Sequence, residues 1–541
     1  MNCSNWGPKP SCLFATIVLC LLPWTAAAQQ PTTTIEAGTI RGKTVVANGK
    51  NINTFLGIPF AAPPLGNLRW RSPQPTKPWQ GVRKCVEFPA ACPQPADLVY
   101  AIRFRKQSED CLYLNVWTPA ENDKKLPVMV WIHGGGNTIG GSATTIYDGR
   151  YLAASGVVLV TIQYRLGPFG YFAHPALSTE AKRLGPRATS GNYGLLDQIA
   201  ALKWVQKNIH KFGGDKNKVT IFGESAGAAN VTHLMASPLA KGLFHRAIAQ
   251  SGYYGESVAK LTTSKLRTRS AHETGIAYAK RLGIEGEGQK SLESLRELSA
   301  EKLLSAPLTI GRADMKNKFR FGPIVDGFVL PKDPHDVWSN GQMHNVPFMA
   351  GSTLDDGSVF SRAKPIKNTF VYGLALRTIF GPDLQKAREI FPAKTNDEVP
   401  EAVHQVITTM AFRAPARRLV RYVESAKGKS WLYLFSRNPK KGRALREGVF
   451  HGLEIGYVFG SLTRFGDKTD KALSAEMMTR WVNFARSGNP NGQNYESKPL
   501  WPVYRTRQDK HIEFGDRVRV GEALDRTACD LLDRVVKRAR K

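Results

Sequence analysis

The 541-residue sequence has few cysteines and far fewer acidic residues than basic ones. It contains seven cysteines, 44 aspartates and glutamates, and 75 lysines and arginines, for a formal net charge of +31. It has no internal repeat and no long low-complexity tract, which excludes a repeat array and an extended disordered chain. Beyond the N-terminal segment, no run is apolar enough to cross a bilayer. With 42% hydrophobic residues, the composition is that of a globular protein.

The basic excess does not point to a nucleic-acid-binding module. Lysine and arginine are scattered, and only Arg534 to Lys541 forms a basic run. We therefore interpret the charge as a solvated basic surface and expect no specific nucleic-acid partner. A preference for anionic substrates is the second interpretation. The sequence does not predict the oligomeric state.

The N-terminus has the features of a secretory signal peptide. Lys9 supplies a basic region, Cys12 to Leu22 form an apolar stretch, and Ala26 to Ala28 match an A-x-A cleavage site. The apolar stretch is too short to span a membrane comfortably. We predict that residues 1–28 are removed after Ala28 and that residues 29–541 form one domain. The mature protein is then secreted or periplasmic and has no transmembrane segment.

Four cysteines remain after this cleavage: Cys85, Cys92, Cys111 and Cys529. In an oxidising compartment, one disulfide is expected among the three that lie close together in the sequence. Their spacings do not suit a zinc site, so we predict no metal centre. The spacing does not decide which pair forms the bond.

Apolar runs alternate with helical patterns along the first half of the chain. Leu195 to Ile209 has helical periodicity, and continuous apolar runs predict strands covered on both faces. These runs are Leu126 to Ile132, Val157 to Ile162, Val219 to Phe222 and Ala247 to Gln250. The alternation predicts an α/β fold with a mostly parallel central sheet flanked by helices.

Other segments predict how this sheet is extended and interrupted. The proline-rich stretch Phe55 to Pro64 is expected to lack regular structure. Ser257 to Arg320 is polar and helix-prone, and is interpreted as an inserted helical region. Asp397 to Ala426 is predicted to be helical with an interruption near Pro415. Two later strands and a C-terminal helix are predicted at Val346 to Gly351, Trp431 to Phe435 and Ser474 to Ala485.

A Gly-x-Ser-x-Gly motif lies between a predicted strand and a predicted helix, at Gly223 to Gly227. Such a motif forms a nucleophile elbow, in which the tight turn requires small residues around the serine. The sequence His133-Gly134-Gly135-Gly136 follows an earlier strand and resembles an oxyanion-hole loop. Its backbone N–H groups would act together with that of the residue after the serine.

The expected chain order after an elbow serine is an acid and then a histidine. His451 has a glycine on either side, at Gly448 and Gly452, and follows the strand predicted at Trp431. The acid is expected after the Val346 strand, where Asp355 and Asp356 are adjacent. Spacing alone does not choose between these two aspartates.

Several of these motifs together resemble the type-B carboxylesterase family. Phe212-Gly213-Gly214 followed by Val219 to Gly227 is similar to its serine signature, and Glu109 to Val116 to its second signature. The resemblance extends from about Thr34 to the C-terminus. It implies an α/β-hydrolase fold with helical insertions forming a cap over the site. It also implies a serine carboxylic-ester hydrolase that acts on small esters without a cofactor.

The resemblance also assigns roles to individual residues. It implies Ser225 as nucleophile, His451 as general base and Asp356 as the orienting acid, where the family usually has glutamate. The oxyanion donors map to Gly135, Gly136 and Ala226, and a disulfide maps to Cys92 and Cys111. Asn137 replaces the family's usual aromatic residue and is expected to change the acyl side of the pocket.

Two alternative functions accompany this prediction. One is an esterase specialised for anionic, carboxylate-bearing esters. The other is a non-catalytic cholinesterase-like binding protein, since the family includes members that keep the fold and lose the serine. The presence of Ser225, Asp356 and His451 argues for the enzyme.

Overall fold

A computed structural model of the chain defines the fold. It describes residues 1, 7, 30–96, 104, 106–120, 125–185, 189–252, 258–264, 269–308, 319–363, 366–461, 466–492 and 499–540. The signal-peptide features predicted from Lys9 to Ala28 lie outside the described residues. No helix within the described residues is long and apolar enough to cross a membrane.

The described residues contain fourteen strands. They are β1 (Thr32–Ile35), β2 (Gly38–Arg41), β3 (Lys43–Ala47), β4 (Lys50–Pro59), β5 (Val82–Lys84), β6 (Tyr113–Pro119), β7 (Leu126–Ile132), β8 (Val158–Ile162), β9 (Gly214–Glu224), β10 (Arg246–Gln250), β11 (Phe348–Thr353), β12 (Ser430–Phe435), β13 (Lys510–Phe514) and β14 (Val518–Glu522). Eleven of them form one sheet in the order β14-β13-β12-β11-β10-β9-β7-β8-β6-β4-β3, and β1, β2 and β5 form a small second sheet.

The helices of the described residues lie between these strands. They are α1 (Arg150–Ala154), α2 (Gly167–Tyr171), α3 (Pro175–Leu184), α4 (Tyr193–Asn208), α5 (Ala226–Ala236), α6 (Ala271–Arg281), α7 (Gln289–Glu297), α8 (Ala300–Leu304), α9 (Pro334–Ser339), α10 (Ser358–Ala363), α11 (Thr369–Phe380), α12 (Leu384–Ile390), α13 (Val399–Thr408), α14 (Ala414–Ser425), α15 (Ala444–Glu447), α16 (Ile455–Phe459), α17 (Lys468–Ser487) and α18 (Arg526–Ala539).

The centre of the large sheet is parallel and is covered on both faces. The strands from β13 to β8 in the sheet order all run parallel, and the antiparallel pairs lie at the two ends. On β7, Val128 and Val130 pack in one apolar cluster with Leu202 of α4. Trp131 points to the other face and packs in a second cluster with Trp481 of α17. The predicted α/β architecture, with a mostly parallel sheet flanked by helices, is confirmed.

Two helical insertions interrupt the parallel strands. Helices α6 to α9 lie between β10 and β11, and α10 to α14 lie between β11 and β12. The first includes the helical region predicted between residues 257 and 320. Helices α11, α12, α13 and α18 share a separate apolar cluster of their own.

The expectation that Phe55 to Pro64 lacks regular structure is wrong for its first half. Strand β4 continues to Pro59 and pairs with β6. The pairing register shifts between Phe55 and Ile58, and Gly57 within this bulge has a φ of +75°. Proline is tolerated in a sheet at such irregular or terminal positions, and Pro59 is the last residue of β4.

The interruption predicted near Pro415 takes a milder form than a break. A π-helical turn at Thr409–Arg413 joins α13 directly to α14, and Pro415 lies in the first turn of α14. Proline has no N–H, and in a regular helix its ring collides with the carbonyl four residues earlier, here that of Ala411. The wider turn accommodates this while the helix continues.

Candidate active site

Ser225 lies at the sharp turn between β9 and α5. Its backbone has φ +57° and ψ −124°, an uncommon conformation for a residue other than glycine. A Cβ atom at Gly227 would lie 2.0 Å from the Ile132 carbonyl oxygen, so no larger residue fits there. The Ser225 N–H donates a hydrogen bond of 2.9 Å to the Gln250 carbonyl. The turn leaves Ser225 and Ala226 partly exposed while Glu224 and Gly227 are buried.

The glycine loop after β7 packs directly against this turn. A Cβ atom at Gly134 would lie 3.0 Å from Ser225 Cβ. Gly135 and Gly136 are partly exposed and have φ values of +105° and +62°. Among the described residues, none accepts a hydrogen bond from the N–H of Gly135, Gly136 or Ala226.

His133 and Asn137, at the two ends of the glycine loop, are both engaged in internal contacts. The buried His133 ring stacks on Tyr164, and its Nδ1 lies 2.8 Å from the Gly134 carbonyl oxygen. Burial lowers the pKa of His133 to about 4. Asn137 Oδ1 accepts hydrogen bonds from Asn230 Nδ2 at 2.8 Å and from Tyr171 Oη at 3.2 Å. Its side chain therefore belongs to a buried polar network.

The structure brings Asp356 and His451 together, although they are 95 residues apart in the sequence. Asp356 Oδ1 lies 2.7 Å from His451 Nδ1, and the two side chains are 0% and 1% exposed. The other carboxylate oxygen of Asp356 accepts hydrogen bonds from the Thr353 N–H at 2.8 Å and from Ser251 Oγ at 3.0 Å. Three contacts therefore fix the orientation of this carboxylate toward the imidazole.

Asp355 serves the same loop in a different way. Its Oδ2 accepts a 2.7 Å hydrogen bond from the Val449 N–H, and its own N–H donates to the Val449 carbonyl. A Cβ atom at Gly448, where φ is +64°, would lie 2.3 Å from that Oδ2 atom. Asp355 therefore holds the segment that carries His451, while Asp356 contacts the His451 ring.

Two buried glutamates, which were not predicted as site residues, surround the same imidazole. Glu224 Oε1 lies 3.1 Å from His451 Nε2. Glu454 lies just beyond His451 in the chain, is fully buried and accepts a 3.2 Å hydrogen bond from Gln250 Nε2. The available signal for Glu224 was its place inside the elbow motif, at the carboxyl end of β9. Glu454 carried no such signal.

These carboxylates reverse the effect of burial on His451. Burial alone lowers the pKa of an imidazole, but Glu224, Asp356 and Glu454 together outweigh it and raise the pKa of His451 to about 9. Burial raises the pKa of Glu224 to about 7, with Asp356 adding to the rise and His451 opposing it. Burial, Glu224 and Asp356 raise the pKa of Glu454 to about 8. The site therefore stabilises a positively charged imidazole.

Aromatic side chains from the second insertion cover His451. The Phe360 ring of α10 and the Phe412 ring of the π-helical turn lie 5.2 Å and 4.6 Å from the imidazole, between ring centroids. Ser225 Oγ makes no hydrogen bond to a described residue. The structure thus places Ser225, the glycine loop, His451 and Asp356 at the carboxyl ends of the parallel strands, a common position for ligand sites in α/β folds.

Of the four cysteines that follow the predicted signal peptide, two are bonded and two are free. Cys92 and Cys111 form a disulfide. Cys85 and Cys529 are buried thiols. Burial raises the pKa of Cys85 to about 11 and that of Cys529 to about 12, so both are protonated at neutral pH.

Comparison with known proteins identifies the family. Residues 29–532 match the model of the carboxylesterase family. The chain belongs to the carboxylesterase family. The predicted family, the α/β-hydrolase fold and the enzyme class, a carboxylic ester hydrolase, are therefore confirmed.

Curated relatives align with this carboxylesterase over most of their length. It is 38% identical to fumonisin B1 esterase of Sphingopyxis macrogoltabida, over 88% of this chain and 85% of that protein. It is 38% identical to para-nitrobenzyl esterase of Bacillus subtilis, over 87% of this chain and 92% of that protein. Carboxylesterase 1E of Mus musculus is 34% identical, over 95% of this chain and 96% of that protein.

Proposed function

We propose that this carboxylesterase hydrolyses esters through a Ser225–His451–Asp356 triad and an acyl-enzyme intermediate. The observation that carries the proposal is the buried 2.7 Å contact between His451 and Asp356, beside the elbow that presents Ser225. An aspartate at position 356 holds the imidazole so that Nε2 is available to the nucleophile. The family's usual glutamate is one methylene longer, and the shorter side chain still reaches Nδ1.

In the proposed first step, the Ser225 hydroxyl attacks the ester carbonyl while His451 Nε2 accepts its proton. The Oγ–C bond forms and the carbonyl oxygen becomes an oxyanion, which the N–H groups of Gly135, Gly136 and Ala226 stabilise. The mechanism requires Ser225 Oγ and Nε2 to approach hydrogen-bond distance when the substrate binds, a tightening that is common in such sites.

Collapse of this intermediate breaks the ester C–O bond, and the departing alcohol takes the proton from His451. Water then attacks the acyl-serine, with His451 again as base, and releases the carboxylic acid and free Ser225. Asp356 keeps its charge throughout and stabilises the imidazolium that forms in each half-reaction. Glu224 and Glu454 add to this stabilisation through their negative charge.

The test is Ser225→Ala assayed with p-nitrophenyl acetate and with an organophosphate that labels active serines. We expect loss of turnover and of labelling with an unchanged unfolding temperature. Ser339→Ala, an exposed serine in α9, is the matched control and should behave like the wild type. Full activity in Ser225→Ala would disprove the assignment.

The substrate class is proposed separately. The net charge of +31 favours esters that carry an additional carboxylate, because a basic protein raises the local concentration of anions. The similarity to fumonisin B1 esterase makes fumonisin B1 a compound to include in the substrate panel. Equal kcat/KM values for neutral and carboxylated esters of the same size at low salt would refute the preference.

We also propose that residues 29–541 form one exported domain. The strands of the large sheet come from positions between Lys43 and Glu522, so segments from near both ends of the chain pair in one sheet. Export is supported by the signal-peptide features before Gln29 and by the disulfide between Cys92 and Cys111, which suits an oxidising compartment.

A further inference from the structure

Asn137 directly follows Gly136, one of the proposed oxyanion donors, and contacts two helices. Its side-chain oxygen accepts hydrogen bonds from Tyr171 Oη of α2 at 3.2 Å and from Asn230 Nδ2 of α5 at 2.8 Å. Its main-chain carbonyl accepts a 2.7 Å hydrogen bond from the N–H of Gly167, the first residue of α2. All three side chains are buried, with exposures of 6% for Asn137, 2% for Tyr171 and 0% for Asn230. Asn137 therefore joins the end of the glycine loop to both helices.

The backbone of Asn137 completes the turn of the glycine loop. Its φ is +57°, in the left-handed region, where asparagine is enriched over most other residues. The two residues before it, Gly135 and Gly136, also have positive φ values, of +105° and +62°. The direction of the Gly135 and Gly136 N–H groups thus depends on a sharp turn, and the bonds of the Asn137 side chain hold the end of that turn.

The contact with Asn230 connects this turn to the third proposed donor. Asn230 lies four residues after Ala226 on α5, and residues four apart lie on the same face of a helix. The 2.8 Å bond between Asn137 and Asn230 therefore links the two segments whose N–H groups must converge on one oxygen atom. An oxyanion hole is effective because its donors are held in place before the reaction. Buried polar groups that are bonded to one another provide such rigidity.

We propose that Asn137 is a positioning residue that sets the placement of the Gly135 and Gly136 N–H groups relative to the Ala226 N–H. It acts through its bonds to α5 and α2, and in this role it does not contact the reacting atoms. The inference rests on the proposed mechanism, in which these three groups stabilise the oxyanion. Since the oxyanion forms only during the reaction, misplaced donors slow the chemical step and leave substrate binding nearly unchanged.

The test is Asn137→Gly, because glycine adopts a positive φ without strain and only the side-chain contacts are lost. We expect kcat and kcat/KM for p-nitrophenyl acetate to fall by similar factors, up to about 100-fold, the typical effect of a misplacement of about 1 Å. Affinity for an alkyl trifluoromethyl ketone should fall in the same proportion. Its adduct with Ser225 carries an oxyanion that would bind the same donors.

Asn192→Gly is the matched control for a purely structural role. Asn192 is a buried asparagine with a φ of +55°, and its side chain bonds the backbone of Ile324 at 2.8 Å and 2.9 Å. This variant should have a lower thermal midpoint and the kcat of the wild type. Tyr171→Phe keeps the ring and removes one bond to Asn137, so kcat should fall about twofold to tenfold.

A double-mutant cycle tests the link to α5. Asn137→Gly and Asn230→Ala break the same bond, so the double variant should lose much less kcat than the product of the two single losses. Losses that multiply would overturn the proposal. So would a wild-type kcat in Asn137→Gly, or a raised KM with an unchanged kcat.

Ser225→Ala, assayed in the same series, separates this inference from the mechanism on which it rests. If Ser225→Ala is inactive and Asn137→Gly keeps the wild-type kcat and ketone affinity, the positioning role is wrong and the triad stands. Full turnover in Ser225→Ala would instead disprove the mechanism, and with it the role of Asn137.

Discussion

Replacing Glu224 by glutamine removes the negative charge nearest to His451 Nε2 and leaves a side chain of nearly the same size. The two atoms concerned, Glu224 Oε1 and His451 Nε2, lie 3.1 Å apart in a fully buried site. Burial raises the pKa of Glu224 to about 7, so its carboxylate is charged near pH 9, where His451 titrates. The wild-type imidazole therefore loses its proton in the presence of this charge.

The size of the effect follows from that contact. An opposite charge within about 4–6 Å shifts a pKa by roughly 1–3 units. The pKa of His451 is raised to about 9 in the wild type. In Glu224→Gln it should fall to between about 6 and 8. Each unit by which the pKa of His451 falls corresponds to about 1.4 kcal/mol of lost imidazolium stabilisation. Each such unit therefore lowers the maximal rate by up to about tenfold.

The sign of the pH dependence follows from the role of His451 as a base. Only the neutral imidazole accepts the serine proton, so activity is lost as pH falls through the pKa of His451. We expect the wild-type kcat/KM for p-nitrophenyl acetate to be half-maximal near pH 9. In Glu224→Gln the midpoint should move to lower pH and the plateau should be lower.

The assay compares complete pH profiles of kcat/KM for the wild type, Glu224→Gln and Glu301→Gln. Glu301 is an exposed glutamate in α8, so its replacement controls for the loss of one charge from the protein. An acid limb in Glu224→Gln that coincides with that of the wild type would refute the reasoning. A shift of the same size in Glu301→Gln would refute it as well.

Three further predictions concern the acid, the disulfide and the leader. Asp356→Asn should reduce kcat roughly 10⁴-fold, because the amide favours the wrong imidazole tautomer. Asp355→Asn keeps an oxygen that accepts the Val449 N–H, so its kcat should fall less than about tenfold. If steady-state kinetics showed the larger loss of kcat for Asp355→Asn, the roles of the two aspartates would be exchanged. Replacing Cys92 and Cys111 by serine should destabilise the protein by about 3 kcal/mol, seen as a lower thermal midpoint than that of Cys85→Ser. Amino-terminal sequencing of exported protein should begin at Gln29, and a retained leader would contradict cleavage after Ala28.

Much of the fold was predictable because its signals are local. The run Leu126–Ile132 is apolar at nearly every position, and it forms the buried strand β7. The expectation of irregular structure around Pro59 is wrong, because a bulge and the end of strand β4 allow a proline at this position in the sheet. The start of α17 at Lys468 was missed because it depends on a capping box between Asp467 and Asp470. Such caps precede the apolar pattern that periodicity detects.

The glutamates of the site show where local signals end. Glu224 lies inside the elbow motif at the end of β9, but this place by itself does not indicate that its carboxylate turns toward His451. Glu454 lies three residues after His451, between Leu453 and Ile455, and this local context does not indicate what its carboxylate contacts. Its burial and its contact with Gln250 arise only when β10 and the loop after β12 lie side by side.

By itself, the sequence determined the elbow at Ser225, because the small residues at Gly223 and Gly227 are a requirement of the turn and can be recognised within five positions. It also determined the sheet, since apolar runs must be covered on both faces. The spacing along the chain left two adjacent aspartates open, and the tertiary structure shows which of them contacts His451. Asp355 and Asp356 are adjacent in the chain. The carboxylate of Asp355 contacts the Val449 backbone, whereas that of Asp356 contacts the His451 imidazole. The distinction depends on how segments about a hundred residues apart come together, which no local pattern records.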